Sequence, residues 1–181
     1  MTEIDFRILD FIREKLSNGF FDFVMPKLTA VGNVGFIWIF VAAAMVISRK
    51  YRRNGLELAA GLVGCTLVGN LLLKNLIARQ RPCWINDTIE LLIAVPKDYS
   101  FPSGHTMASF AAAAIILHAN KKLGIAAYIL AAVIAFSRLY LYVHFPTDVL
   151  AGAVIGTVIG IAVCVFSKKI FPQKELHDAE K

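Results

Sequence analysis

The 181-residue chain is 57% hydrophobic and only 18% charged, with a mean hydropathy of +0.64. Soluble domains carry about a quarter charged residues, so this composition excludes an ordinary water-soluble domain. The net charge of +6 resides mainly in short flanks between apolar runs, which argues against a nucleic-acid partner.

Residues 1–31 come first. Ile4, Ile8, Phe11 and Ile12 share one helical face, with Arg7, Asp10 and Glu14 turned elsewhere. This predicts an amphipathic helix lying in the membrane interface, followed by a second short one at FFDFVMPKL. The start, MTEIDFRILDFIREKL, lacks the basic-then-apolar order of a cleaved signal peptide. A crossing within residues 4–31 is the alternative, but Asp5, Arg7, Asp10, Arg13, Glu14, Lys15, Asp22 and Lys27 make it expensive.

Five apolar runs follow. Leu28–Ser48 has 21 residues without a charge, Leu58–Leu73 has 16, Thr106–Asn120 and Leu123–Ser137 have 15 each, and Val149–Phe166 has 18. A bilayer core needs about 20 apolar residues per helix, and the shorter runs reach that length if flanking charges lie at the membrane edge. The expected fold is an all-α transmembrane bundle of about five spans, or six if the N-terminus also crosses. Its parts are an interfacial segment 1–31, a core 32–171 and a polar tail 172–181.

Basic residues cluster at RKYRRN (49–54), at NKK (120–122) and after Lys168. The positive-inside rule puts these in the cytoplasm and the 79–103 loop and 144–148 turn together outside. Three cysteines, Cys65, Cys83 and Cys164, cannot all pair and show no metal-ligand spacing, so no metal or other cofactor is implied. Cys65 and Cys164 read as packing residues and Cys83 as a loop thiol. His118 and His177 have no suitable partners nearby in sequence.

Three polar clusters fall on the external side. In KNLIARQRP, Lys74 and Arg81 are seven residues apart, two turns along one face if the helix persists to Pro82. In FPSGHT, Ser103 reads as a helix N-cap with Gly104 and His105 in the first turn. In SRLYLYVHFPTD, Pro146 suits the first helical position, so Asp148 can reach back to His144.

Lys74, Arg81 and Arg138, with a helix N-terminus, make an anion site suited to a tetrahedral oxyanion. Two histidines beside it supply a nucleophile and a proton donor for phosphate-ester cleavage. An aspartate on one imidazole favours His144 as the attacker. The residue types alone leave the assignment of the two histidines open.

These motifs resemble the type 2 phosphatidic acid phosphatase family, the lipid phosphate phosphatases related to vanadium haloperoxidases. The pattern of Lys, six residues, Arg-Pro is met from Lys74 to Pro82. Pro-Ser-Gly-His is met at 102–105, and Ser-Arg, five residues, His, three residues, Asp from Ser137 to Asp148. The resemblance implies that His144 forms a phosphohistidine, that Asp148 orients it and that His105 is the general acid. It implies phosphate binding by Lys74, Arg81, Ser103, Gly104 and Arg138, without a metal. The expected partners are the bilayer and a lipid phosphate, by analogy undecaprenyl diphosphate or phosphatidylglycerol phosphate, in a bacterial plasma membrane with the site facing out. A lipid phosphotransferase and a non-enzymatic scaffold or transporter are the rival functions. The haloperoxidases themselves are soluble, which sets them apart from this chain.

Overall fold

The computed structural model describes residues 2–32 and 35–170, and every regular element among them is helical. They are α1 (Thr2–Leu16), α2 (Gly19–Val31), α3 (Phe36–Ile47), α4 (Arg52–Cys65), a π-helical stretch (Thr66–Leu73), α5 (Lys74–Ile77), α6 (Pro82–Ile85), α7 (Gly104–Ala119), α8 (Lys121–Tyr140) and α9 (Pro146–Ile170). The expected tail 172–181, with His177, lies outside the described residues.

Three stretches are long and apolar enough to cross a membrane: Arg52–Ile85, Lys121–Tyr140 and Pro146–Ile170. A fourth exists if α2 and α3, bent by 47°, make one broken span. Helix α7 is apolar but has only 16 residues. It is the central helix, packed against α9, α8, α4 and α3. Ala111, Ala112, Ala113 and Ile115 are fully buried, as a helix enclosed on all sides requires.

Helix α9 shows how the bundle meets lipid. Leu150, Val154, Val158 and Ile161 are exposed on one face. Gly152, Gly156 and Gly160, spaced by four, lie buried on the opposite face. A Cβ added at Gly156 would stand 2.1 Å from the Met107 carbonyl oxygen, and one at Gly160 would stand 2.7 Å from that of Ala111. Small residues at this spacing let two membrane helices approach backbone to backbone, where dispersion rather than hydrophobicity holds them. Trp38 adds a polar tie by donating from Nε1 to Ser109 Oγ at 2.9 Å, joining α3 to α7.

Capping follows ordinary rules. Asn18 Oδ1 accepts from the backbone N–H groups of Phe20 and Phe21, and Asn120 Oδ1 accepts from Leu123 N–H. In α1 the apolar residues Ile4, Ile8 and Phe11 are exposed, whereas Ile12 turns inward with Leu9 and Asp5. The helix therefore buries a carboxylate that the amphipathic pattern assigned to no role. Asp10 and Asp22 accept hydrogen bonds from the hydroxyls of Tyr142 and Tyr140 at 2.7 and 2.6 Å. The acidic residues of this segment thus clasp the end of α8 and the turn beyond it.

Candidate active site

The helix bearing Lys74 does not persist to Pro82. It widens into the π-helical stretch, where Lys74 N–H bonds to the Gly69 carbonyl, and ends at Ala78 in left-handed backbone at φ 46°. The chain restarts at Pro82 as α6. Lys74 and Arg81 nevertheless converge, because both reach one acceptor, Asp98 of the 86–103 loop. Lys74 Nζ donates to Asp98 Oδ2 and Arg81 Nη2 donates to Asp98 Oδ1, the latter at 2.8 Å. Burial works to raise the Asp98 carboxyl. The hydrogen bond and charge of Lys74, with Arg81 beyond, outweigh it and hold the group down at about 2.

Arg81 is the most heavily tied cation. Its Nε donates to the Asp98 carbonyl at 2.7 Å, and its Nη1 donates to the Val143 carbonyl at 2.6 Å and stands 3.1 Å from His144 Nε2. Arginine can only donate, so this contact makes Nε2 the acceptor nitrogen and puts the ring proton on Nδ1. Burial, with Arg81, Arg138 and Lys74 nearby, holds the imidazole well below the ordinary histidine range. His144 is thus neutral at neutral pH, the form that has a lone pair to give.

The direct link expected between His144 and Asp148 is looser than a hydrogen bond. Nδ1 lies 3.8 Å from Asp148 Oδ2, and Ser100 Oγ fits beside both, 3.4 Å from Nδ1 and 2.5 Å from the carboxylate. Asp148 Oδ2 also accepts the Phe145 N–H at 3.0 Å, closing the turn at the start of α9. Tyr142 in that turn takes left-handed backbone at φ 58°. Such conformations in bulky residues concentrate where the surrounding structure overrides local cost. Burial and the Asp10 carboxylate push its hydroxyl up to about 12, so it remains a donor.

Ser103 occupies the N-cap position of α7 but makes no capping bond. Its backbone N–H donates to the Asp148 carbonyl at 3.1 Å, and its hydroxyl accepts from Thr106 Oγ1 at 2.9 Å. Arg138, buried, donates from Nη1 to Thr29 Oγ1, while its Nε has no partner among the described residues. An orphaned buried charged donor is costly and marks a place where an acceptor binds.

A cavity of about 1230 Å³ joins these parts. Lys74, Arg81, Asp98, Gly104, His105, Arg138 and His144 line its head, whereas Ser103 and Asp148 lie behind the wall. Its body runs between α3 and α4 past Leu62, Val63 and Ala59 to Val46 and Ile47. From Lys74 to Ala59 is 15 residues along a helix whose middle is π-helical and so shorter per residue than an α-helix, which makes the distance about 20 Å. Among the described residues no group of three His, Cys, Asp or Glu could hold a metal ion. Cys83 is not a loop thiol but a buried residue of α6. Cys65 and Cys164 are buried as expected, and His118 lies in the last turn of α7.

The motif reading missed Asp5, Arg79, Asp98 and Ser100. Arg79 had a signal, a third cation between Lys74 and Arg81. The others come from loops or from α1 and announce themselves only in three dimensions.

The family model for the PAP2 superfamily matches residues 54–172. The undecaprenyl-diphosphatase BcrC of Bacillus subtilis is 31% identical over 160 residues, 88% of this chain and 81% of that protein. Phosphatidylglycerophosphatase B of the same species is 34% identical over 170 residues, covering 83% and 78%. An undecaprenyl-diphosphatase of Sulfolobus acidocaldarius is 34% identical over 123 residues, 67% of this chain but only 59% of its own length. The crystal structure of a transmembrane PAP2-type phosphatidylglycerolphosphate phosphatase from Bacillus subtilis superposes with a TM-score of 0.77 at 28% identity, covering 95% of this chain and 88% of that one. With the matched region holding all three motifs and the fold shared along nearly the whole length, this chain belongs to the PAP2 superfamily.

Proposed function

We propose that the chain is an integral-membrane lipid phosphate phosphatase that cleaves phosphate from a long-chain lipid mono- or diphosphate without a metal. The observation that carries this reading is the cavity: two histidines and three cations at its head, and an apolar body below it that follows the helix from Lys74 toward Ala59 for about 20 Å. A phosphorylated headgroup suits the first and a prenyl or acyl chain the second. Relatives named as undecaprenyl-diphosphatases and a phosphatidylglycerophosphatase support these substrate classes. The bundle then crosses the membrane five times, with residues 1–31 in the interface and the site at the external surface of a plasma membrane, as the basic flanks suggest.

In this reading phosphate displaces Asp98 and takes up Lys74, Arg81, the free Nε of Arg138 and the backbone N–H of Gly104, while Ser103, whose own N–H is bonded to the Asp148 carbonyl, supports the turn from behind the wall. His144 Nε2 gives its lone pair to phosphorus as the bond to the lipid oxygen breaks. His105 protonates that leaving oxygen. His105 then removes a proton from water, whose oxygen attacks the phosphohistidine, releasing phosphate and returning Nε2. The cations offset charge on the equatorial oxygens throughout.

The test is phosphate release by the purified protein in detergent, with EDTA present, from a panel of prenyl diphosphates and phosphatidylglycerol phosphate. Turnover of at least one is expected. Failure on all of them, or activity that returns only with added magnesium, overturns the proposal.

A further inference from the structure

Arg79 is absorbed by none of the three phosphate-binding motifs, yet it is held by four groups. Its Nη1 donates to Asp148 Oδ1 at 2.5 Å and to Thr147 Oγ1 at 2.7 Å. Its Nη2 donates to Asp5 Oδ2 at 2.7 Å, and the guanidinium carbon stacks 4.0 Å over the Phe145 ring. Asp5, from α1, also accepts from the backbone N–H of Thr147 at 3.2 Å and from its hydroxyl at 2.9 Å. Both carboxylates are buried, with side chains 3% and 0% exposed, and Arg79 bridges them. Arg79 is absent from the lining of the cavity, so it does not meet the phosphate.

Building on the phosphatase reading, we propose that Arg79 is a positioning residue for the reaction, acting through Asp148, and that Asp5 of α1 sets how strongly it does so. Two buried carboxylates within reach of one guanidinium make a chain of charge, minus–plus–minus. Asp148 divides its oxygens: Oδ1 goes to Arg79, and Oδ2 goes to Ser100 and the Phe145 N–H. That division fixes the carboxylate plane, and with it the face shown to His144 Nδ1. It also sets a carboxylate already paired with a guanidinium beside the imidazolium that forms when Nε2 is consumed. A fork is needed because a single ammonium cannot hold both carboxylates in fixed geometry. Helix α1 thereby gains a part in the site, since its Asp5 closes the far end of the bridge and ties the N-terminal segment to the catalytic turn.

The charged and titratable groups around this turn are Arg79 and Arg81 from the 78–81 segment and Asp5 from α1. His105 of α7, Arg138 of α8, Lys74, Asp148 of α9, Asp98 of the 86–103 loop and the Tyr142–Asp10 pair stand around it, with His144 itself at the centre. Removing the Arg79 cation makes proton uptake by the turn easier, whereas removing the Asp5 anion makes it harder. The two changes therefore displace the acid limb of the kcat/KM profile in opposite directions.

The experiment measures kcat, KM and the pH dependence of kcat/KM for full-length protein in detergent on a lipid phosphate turned over by the wild type. Arg79→Gln should lower kcat about 10–100-fold with KM little changed and move the acid limb about 1 unit or more to higher pH. Arg79→Lys should restore the limb to its original place while recovering kcat only in part. Asp5→Asn should leave the limb in place or move it to lower pH. If Arg79→Gln fails to fold because Asp5 is orphaned, the double variant Asp5→Asn/Arg79→Gln removes that buried charge and is compared with Asp5→Asn, relative to which kcat should fall about 10–100-fold and the limb should lie at higher pH. An acid limb that stays put while kcat falls, or an upward shift in Asp5→Asn, overturns the positioning role and leaves the phosphatase reading standing. A wild type inactive on every lipid phosphate overturns the phosphatase reading itself.

Discussion

In the proposed reaction, Asp98 stands where phosphate oxygens must go. It accepts from Lys74 and Arg81 at once, and its side chain is 55% exposed at the cavity mouth. Its folded value of about 2 lies below that of an unfolded aspartate, so the pairing is fully present above about pH 3.9 and is lost only as pH falls toward 2. At any working pH the carboxylate is in place, and the incoming anion has to displace it. Half-exposed ion pairs contribute only about 0.2–1 kcal/mol each. Two such pairs give about 0.5–2 kcal/mol, or about 2- to 30-fold in affinity at 1.4 kcal/mol per tenfold. Asp98→Ala should therefore bind orthovanadate more tightly by that factor. The backbone tie from the Asp98 carbonyl to Arg81 Nε survives the change and keeps the loop attached. Vanadate inhibition constants at pH 7 for wild type, Asp98→Asn and Asp98→Ala measure this, with the asparagine variant between the other two. Equal or weaker vanadate binding in Asp98→Ala would refute displacement and make Asp98 an organiser of the cations instead.

Further changes address the chemistry and the packing. His144→Ala should abolish both turnover and phosphoenzyme. His105→Ala should lose about 10²–10⁴-fold on an alkyl lipid phosphate but far less on p-nitrophenyl phosphate, whose leaving group needs little proton help; acid-labile phosphoenzyme in His144→Ala but not in His105→Ala would reverse the roles. Gly156→Ala, whose Cβ would stand 2.1 Å from the Met107 oxygen, should cost about 1–3 kcal/mol or more and lower the thermal midpoint in detergent. Gly19→Ala, with nothing within 4 Å, serves as the tolerated comparison, and similar midpoints for the two would sink the close-packing account.

The apolar segments were legible because a bilayer allows few solutions: a backbone in hydrocarbon must satisfy itself, and a helix does so within one run of residues. Lys74, Arg81, His105, Arg138 and His144 were legible from their residue types and motif spacings, although Lys74 and Arg81 converge on Asp98 rather than along one helix face. Asp98 was not, since it meets Lys74 and Arg81 only after an irregular loop folds back over them. Asp5 meets Arg79 across 74 positions of chain, a contact that amphipathic periodicity cannot foresee. The break at Ala78 was hidden as well, because alanine is the best helix former and nothing local forbids continuing. The four-residue glycine spacing of α9, by contrast, was present in the sequence, and close helix approach is the meaning such spacing has in membranes.

That glycine stripe bears on how the site lives in a fluid medium. Bilayers differ in thickness and composition, and helices held by interleaved side chains can slide or tilt to follow them. Where α9 meets α7 and its N-cap through Gly152, Gly156 and Gly160, backbone oxygens of Ser103, Met107 and Ala111 face the glycines, with only the short side chains of Thr106 and Ala114 beside them. The N-terminus of α7, with His105, and that of α9, with Asp148, therefore keep one vertical offset whatever lipid surrounds them. The distance between His105 and Asp148 should therefore stay constant from one host bilayer to another.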